Sequence, residues 1–158
     1  MATIHNLYLT DQDSLNKIER FAEDVSNYYH LDDTYFSNVI VCLDTLKAFC
    51  DEQYNEQAWA LDIEVFSERK GLVFSVRDTG DLLNASMVPG QFTPEMLDSS
   101  AGEMLFTLGS LTDCFTGNTD DNTLELTFST HSMHKDLAVK RVALLNEYFT
   151  QHIKVSSN

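Results

Sequence analysis

The sequence predicts an α+β fold, a two-layer sandwich in which a mixed four-stranded sheet carries helices on one face. Three observations predict it. Apolar residues recur at the helical period from Leu15 to Val25 and again from Phe36 to Phe49. From Trp59 the period changes to two, so that Trp59, Leu61, Ile63 and Val65 share one face and Ala60, Asp62 and Glu64 the other. The resulting order, β-α-α-β-β-loop-α-β-α, layers helices on one side of a sheet.

Taken in order, Ile4, Leu7, Tyr8 and Leu9 suit a short strand over residues 3–9. Asp11, Asp13 and Ser14 offer N-caps to a first helix running to about Tyr29, with Leu15, Ile18, Ala22 and Val25 on one stripe. Asp32 and Asp33 cap a second helix whose inner face holds Phe36, Val39, Ile40, Leu43, Leu46 and Phe49; its apolar middle predicts burial on more than one side. Ser67-Glu68-Arg69-Lys70-Gly71 has the chemistry of a hairpin connection, and Leu72, Phe74 and Val76 continue on a return strand ending at Asp78. Both prolines and three of the six glycines fall between 80 and 102, which predicts one long irregular loop, and loops of that length are usually functional. A third helix is expected over about 102–115, with Leu105, Leu108, Leu111 and Phe115 on its stripe, then a turn over 116–122. Leu124, Leu126 and Phe128 alternate as a last strand, and a fourth helix over 134–153 closes the chain.

At 158 residues the chain is large enough to bury one core without staples. Its net charge of −15, from 25 acids against 10 Lys and Arg, repels phosphate backbones and anionic lipid; neither nucleic acid nor a membrane is an expected partner. A basic protein surface is compatible with that field, and so is solubility alone. Cys42, Cys50 and Cys114 lie in apolar helical patterns without a Cys-x-x-Cys spacing, which predicts buried reduced thiols. The N-terminus lacks a basic region followed by an apolar one, and the longest strictly apolar run, Val39 to Leu43, is far too short to span a bilayer. A cytoplasmic location is the expectation. His131 and His134 have a metal-compatible spacing but no third ligand nearby, so no metal site is predicted.

Two segments carry chemistry. Val76-Arg77-Asp78-Thr79-Gly80 is a strand ending in an acid and a glycine turn, and Gly102-Glu103-Met104-Leu105-Phe106 is a glycine at the mouth of a helix. An acid there can accept from the exocyclic amine of a purine, and helix-start amides can meet phosphate. Each also has a plainer reading: Asp78 as a turn former, Gly102 as a hinge after Ser99-Ser100.

On these residues the chain resembles the anti-sigma-factor serine kinases of bacteria, in the ATPase superfamily that includes the Hsp90 N-domain, DNA gyrase B and histidine-kinase catalytic domains. The likeness covers about residues 3–129. Val76 to Gly80 is similar to the family's Asp-x-Gly box, and Gly102 to Asp113 to its Gly-x-Gly-Leu-x-Leu-Ile-x-x-Leu-x-Asp segment. Val41 to Ala48 sits where the family has Glu-Ala-x-x-Asn. The resemblance implies an ATPase-like domain over 1–130 with a helical extension over 131–158, and ATP or ADP as ligand. Asp78, Gly80 and Gly102 would then bind nucleotide beneath an 81–101 lid, and Asp44 would be the catalytic acid.

Three departures bear on activity. Ala48 replaces the Asn that holds magnesium, and a methyl group offers no oxygen ligand, so magnesium-assisted phosphoryl transfer loses its support. Leu82 and Met104 replace glycines that let backbone approach phosphate. The expectation that follows is a regulatory protein acting by protein–protein contact, on a sigma factor or an antagonist, with a degraded nucleotide pocket. An ATP-dependent serine-protein kinase and a small-molecule binder using the 81–101 lid are the alternatives. A homodimer contact through the last helix is a further reading of its apolar stripe.

Overall fold

A computed structural model describes residues 5–129 and 141–150. The chain runs β1 (His5–Thr10), α1 (Leu15–Tyr29), α2 (Asp33–Gln53), β2 (Ala60–Glu68), β3 (Gly71–Asp78), α3 (Ser100–Leu111), β4 (Cys114–Asn118) and β5 (Thr123–Phe128). Residues 141–150 form a further helix, α4. His131, His134 and both ends of the expected fourth helix lie outside the described residues.

The helices form where periodicity and caps agree. Ile18, Phe21, Ala22 and Val25 are the buried stripe of α1, which stops at His30 in the left-handed conformation; Leu15, expected on that stripe, is the first residue of the helix and is 44% exposed. The Asp32 carboxylate caps α2 by accepting from the Tyr35 N–H at 3.1 Å, satisfying an amide that has no partner within the helix. Along α2, Tyr35, Val39, Cys42, Leu43, Leu46, Phe49 and Cys50 enter the core, while Ser37, Val41, Asp44 and Ala48 form a solvent-facing stripe. α2 packs against both α1 and α3, which accounts for its broad apolar surface.

The sheet has five strands in the order β1-β2-β3-β5-β4, and every pairing is antiparallel. This corrects the expected mixed four-stranded sheet. Two helices between β1 and β2 return the chain so that these neighbours run oppositely. The single helix α3 sets β4 in the same direction as β3, but β5 inserts between them and removes the parallel pairing. The fifth strand is Cys114–Asn118, expected as helix end and turn. Phe115 lies four residues after Leu111, so the helical stripe of α3 reads on into it, although the helix has already ended. In β4 Phe115 is instead the inward-facing residue, paired with Leu126.

One face of the sheet carries the core. Its cross-strand rows include Leu7–Ile63–Val76–Leu124 and Val65–Phe74–Leu126–Phe115, closed at one end by Leu72–Phe128. Residues of all four helices join this cluster, Leu145 from α4 among them. On the opposite face Asn6, Tyr8, Glu64, Arg77 and Thr116 are exposed. Cys42 and Cys50 are buried, whereas Cys114 is exposed on β4 and so corrects the expectation of three buried thiols. Among the described residues no helix is long and apolar enough to cross a membrane.

Candidate functional site

Asp78 is the last residue of β3 and points to the core side of the sheet, opposite Leu61. Its side chain is buried, with 2% of the residue exposed. A carboxylate in such a position must be hydrogen-bonded or it destabilises the fold. Three donors of the chain meet it: the Tyr54 hydroxyl at 2.5 Å and the Leu83 N–H at 2.8 Å on Oδ2, and the Gly80 N–H at 3.0 Å on Oδ1. The last of these, together with the Asp81 N–H bonding to the Asp78 carbonyl at 3.1 Å, closes a tight turn immediately after the strand.

Tyr54 is the C-terminal cap of α2, so this contact locks the end of that helix onto the end of β3. Burial, the hydrogen bond to Asp78 and the charge of Asp78 push the Tyr54 hydroxyl up to about 12. Gly80 is required for the same contact, since a Cβ at that position would stand 2.4 Å from the Tyr54 hydroxyl oxygen. Cys50, one turn before Tyr54, is likewise held protonated by burial and by Asp78.

Gly102 lies in the first turn of α3. Its N–H already donates to Ser99 Oγ at 3.0 Å, the N-cap hydrogen bond of the helix. A Cβ on Gly102 would meet the Met96 carbonyl oxygen at 2.2 Å, so the glycine lets the helix pack against the preceding 3₁₀ turn, Pro94–Asp98. The Ser100 hydroxyl donates to Glu52 at 2.7 Å and ties the start of α3 to the end of α2.

Asp44 stands exposed on the outer stripe of α2 with Ala48 one turn further on. It is ten residues before Tyr54, or about 15 Å along the helix axis at ~1.5 Å per residue. Lys47 pairs with Asp51 at 3.4 Å and lies over the Trp59 ring, 5.7 Å from its centroid. The fold thus brings Asp78 and Gly80 into one turn and sets Gly102 and Asp44 on separate helices.

The expected irregular lid is more ordered than its composition implies. It contains two 3₁₀ turns, Ala85–Met87 and Pro94–Asp98, and buries Leu83, Ala85 and Leu97. Its first half is pinned by Asn122 of the β4–β5 turn, which accepts from the Ala85 N–H at 3.1 Å and donates to Asp81 at 3.3 Å. Tyr54 and Asn122 carried no signal in the sequence, because each acts on residues more than twenty positions away.

Three cavities lie away from these residues. One of about 490 Å³ sits between the start of α2 and α4, one of about 210 Å³ on the outer face of the sheet, and one of about 150 Å³ between α3 and α4. None of these three is lined by Asp44, Asp78, Gly80 or Gly102. Among the described residues no group of three or more His, Cys, Asp or Glu is arranged to hold a metal ion. Compared with family models, with curated proteins and with solved structures, the chain matches none.

Proposed function

We propose that this chain is a cytoplasmic regulatory protein that acts by binding another protein, on a sandwich like that of the anti-sigma-factor kinases, with its nucleotide pocket closed by the chain's own hydrogen bonds. The partner is a regulatory protein of the sigma-factor or antagonist type. The observation that supports this reading is that both groups a purine nucleotide would need are already used. Asp78 spends its acceptors on Tyr54, Gly80 and Leu83, and the Gly102 amide is spent on Ser99. A ligand would have to displace these bonds and re-expose a buried carboxylate, a cost set against whatever it gained. Ala48, where a magnesium ligand would stand, weighs the same way.

Thermal unfolding with and without millimolar Mg-ATP or Mg-ADP tests the closed pocket. The expected result is an unchanged midpoint. A ligand at a hundred times its dissociation constant stabilises the native state by roughly 2.7 kcal/mol, so a shift of that order would overturn the proposal.

A further inference from the structure

The outer face of the sheet is polar and acidic, and its register brings particular acids together. Tyr8, Asp62 and Arg77 form one cross-strand row, and Asn6, Glu64, Ser75, Glu125 and Thr116 the next. Where these rows meet the β4–β5 turn there is a depression of about 210 Å³ lined by Asp62, Glu64, Ser75, Arg77, Asp121 and Thr123. Three carboxylates face it against one guanidinium. Arg77 neutralises little of this: it reaches Asp62 at 3.6 Å through a side chain that is 60% exposed. Asp62 also accepts from Asn6 at 2.9 Å and Asp121 from Asn118 at 3.3 Å. Among the described residues Glu64 has no ion-pair partner.

A second observation is independent of charge. Thr123 is 93% buried, being 7% exposed, and its hydroxyl has no hydrogen-bond partner. Buried hydroxyls without partners are uncommon in native proteins and require an explanation. This one belongs to a residue lining the acidic depression.

The size of the depression limits what it takes. At ~30 Å³ per water, 210 Å³ holds about seven waters, below the roughly 300 Å³ at which pockets for whole small molecules begin. It suits the head of one side chain. A guanidinium presents five donors in a planar fork, can meet two carboxylates at once, and sheds water more readily than an ammonium. Arg77 already shows a guanidinium reaching one of these acids.

We propose that this depression is the docking point for a basic segment of a partner protein, seating one arginine guanidinium against Asp62, Glu64 and Asp121, with the Thr123 hydroxyl as a further acceptor. This rests on the protein-binding reading above and assigns its partner a chemistry. A net charge of −15 adds long-range attraction for such a segment.

The test is titration of the full isotope-labelled chain with a blocked arginine-rich peptide, followed by amide chemical shifts, with a lysine peptide and spermidine as parallel probes. Shifts are expected to cluster on residues 62–64, 75–77 and 121–123. The double variant Asp62→Asn/Glu64→Gln is expected to weaken binding at least about tenfold, whereas Glu19→Gln/Glu23→Gln, which removes equal charge from exposed positions on α1, changes it less than about twofold. Thr123→Val preserves shape and is expected to weaken binding roughly threefold to tenfold; it serves alone if the charge variants do not fold. Equal weakening by both double variants, equal affinity for lysine peptide or spermidine, or no localised shifts would each overturn the docking point. If the peptide produces no shifts and nucleotide is also silent, the docking point falls while the protein-binding reading stands. Shifts caused by nucleotide would instead remove that reading.

Discussion

At the scale of the residue, Asp78 shows how a motif acid becomes a structural one. Its carboxylate is buried, and among the described residues Tyr54 is the one side chain that donates to it, beside the Gly80 and Leu83 amides. Tyr54→Phe removes that donor and leaves the charge short of a partner, so it is expected to cost about 1–3 kcal/mol, read as a lower urea midpoint. The same contact has a pH signature. The ordinary tyrosine value is 10.0, and both Tyr54 and Tyr35 are pushed up to about 12: burial is the main cause for each, reinforced by Asp78 for Tyr54 and by Asp113 and Asp32 for Tyr35. Because the folded value lies above the unfolded one, this stabilisation is complete below pH ~10 and is lost as pH rises toward ~12. Urea melts across that window are expected to show falling stability, and Tyr54→Phe a shallower fall; an equal slope in the variant would refute the assignment.

At the scale of the element, the junction between α3 and the preceding 3₁₀ turn decides what Gly102 is for. A methyl there would collide with the Met96 carbonyl oxygen, which is backbone and cannot swing aside. Gly102→Ala is therefore expected to destabilise by about 1–3 kcal/mol, the usual range for overpacking, with no nucleotide present. A variant as stable as the parent chain would remove this packing account and return Gly102 to a ligand-facing role. Elements also differ in how clearly the sequence shows them. Most of the stripes of α1 and α2, and a hairpin connection within Ser67–Gly71, were legible because each is specified by residues a few positions apart; the structure narrows that connection to Arg69 and Lys70. β4 was not. Cys114-Phe115-Thr116-Gly117-Asn118 contains one large apolar residue, and that residue falls in phase with the helix before it.

At the scale of the whole molecule, charge is the dominant unbalanced term. With a net charge of −15, Asp and Glu outnumber Lys and Arg by fifteen. Among the described residues most ion pairs lie at the surface, such as Lys17–Asp13 at 3.0 Å, and such pairs contribute little. Self-repulsion in the compact state should therefore outweigh them. Raising ionic strength from about 0.01 to 0.15 M shortens the screening length from ~30 to ~8 Å, and the melting temperature is expected to rise. A flat or falling melting temperature would show that attractive pairs prevail. A more buried tie anchors α4: Asp113 accepts from the Ser129 N–H at 2.6 Å and pairs with Arg141, while Tyr148 meets Phe106 edge to face at 5.6 Å.

The sequence by itself determined Ile18, Ala22 and Val25 as buried residues of α1, Val39, Leu43, Leu46 and Phe49 as those of α2, the core face of β2 and β3, and where α1 and β3 stop, because hydrophobic periodicity and capping act over three or four residues. It also placed Asp78 and Gly80 in one turn after a strand. Only the tertiary structure decided that β5 lies between β3 and β4, that Tyr54 occupies the Asp78 carboxylate, that Met96 backs Gly102, and that Asp62, Glu64, Asp121 and Thr123 share one depression. These are pairings between segments far apart in the chain, as with the 24 residues separating Tyr54 from Asp78. Their partners are chosen by how layers pack, and local patterning does not record that choice.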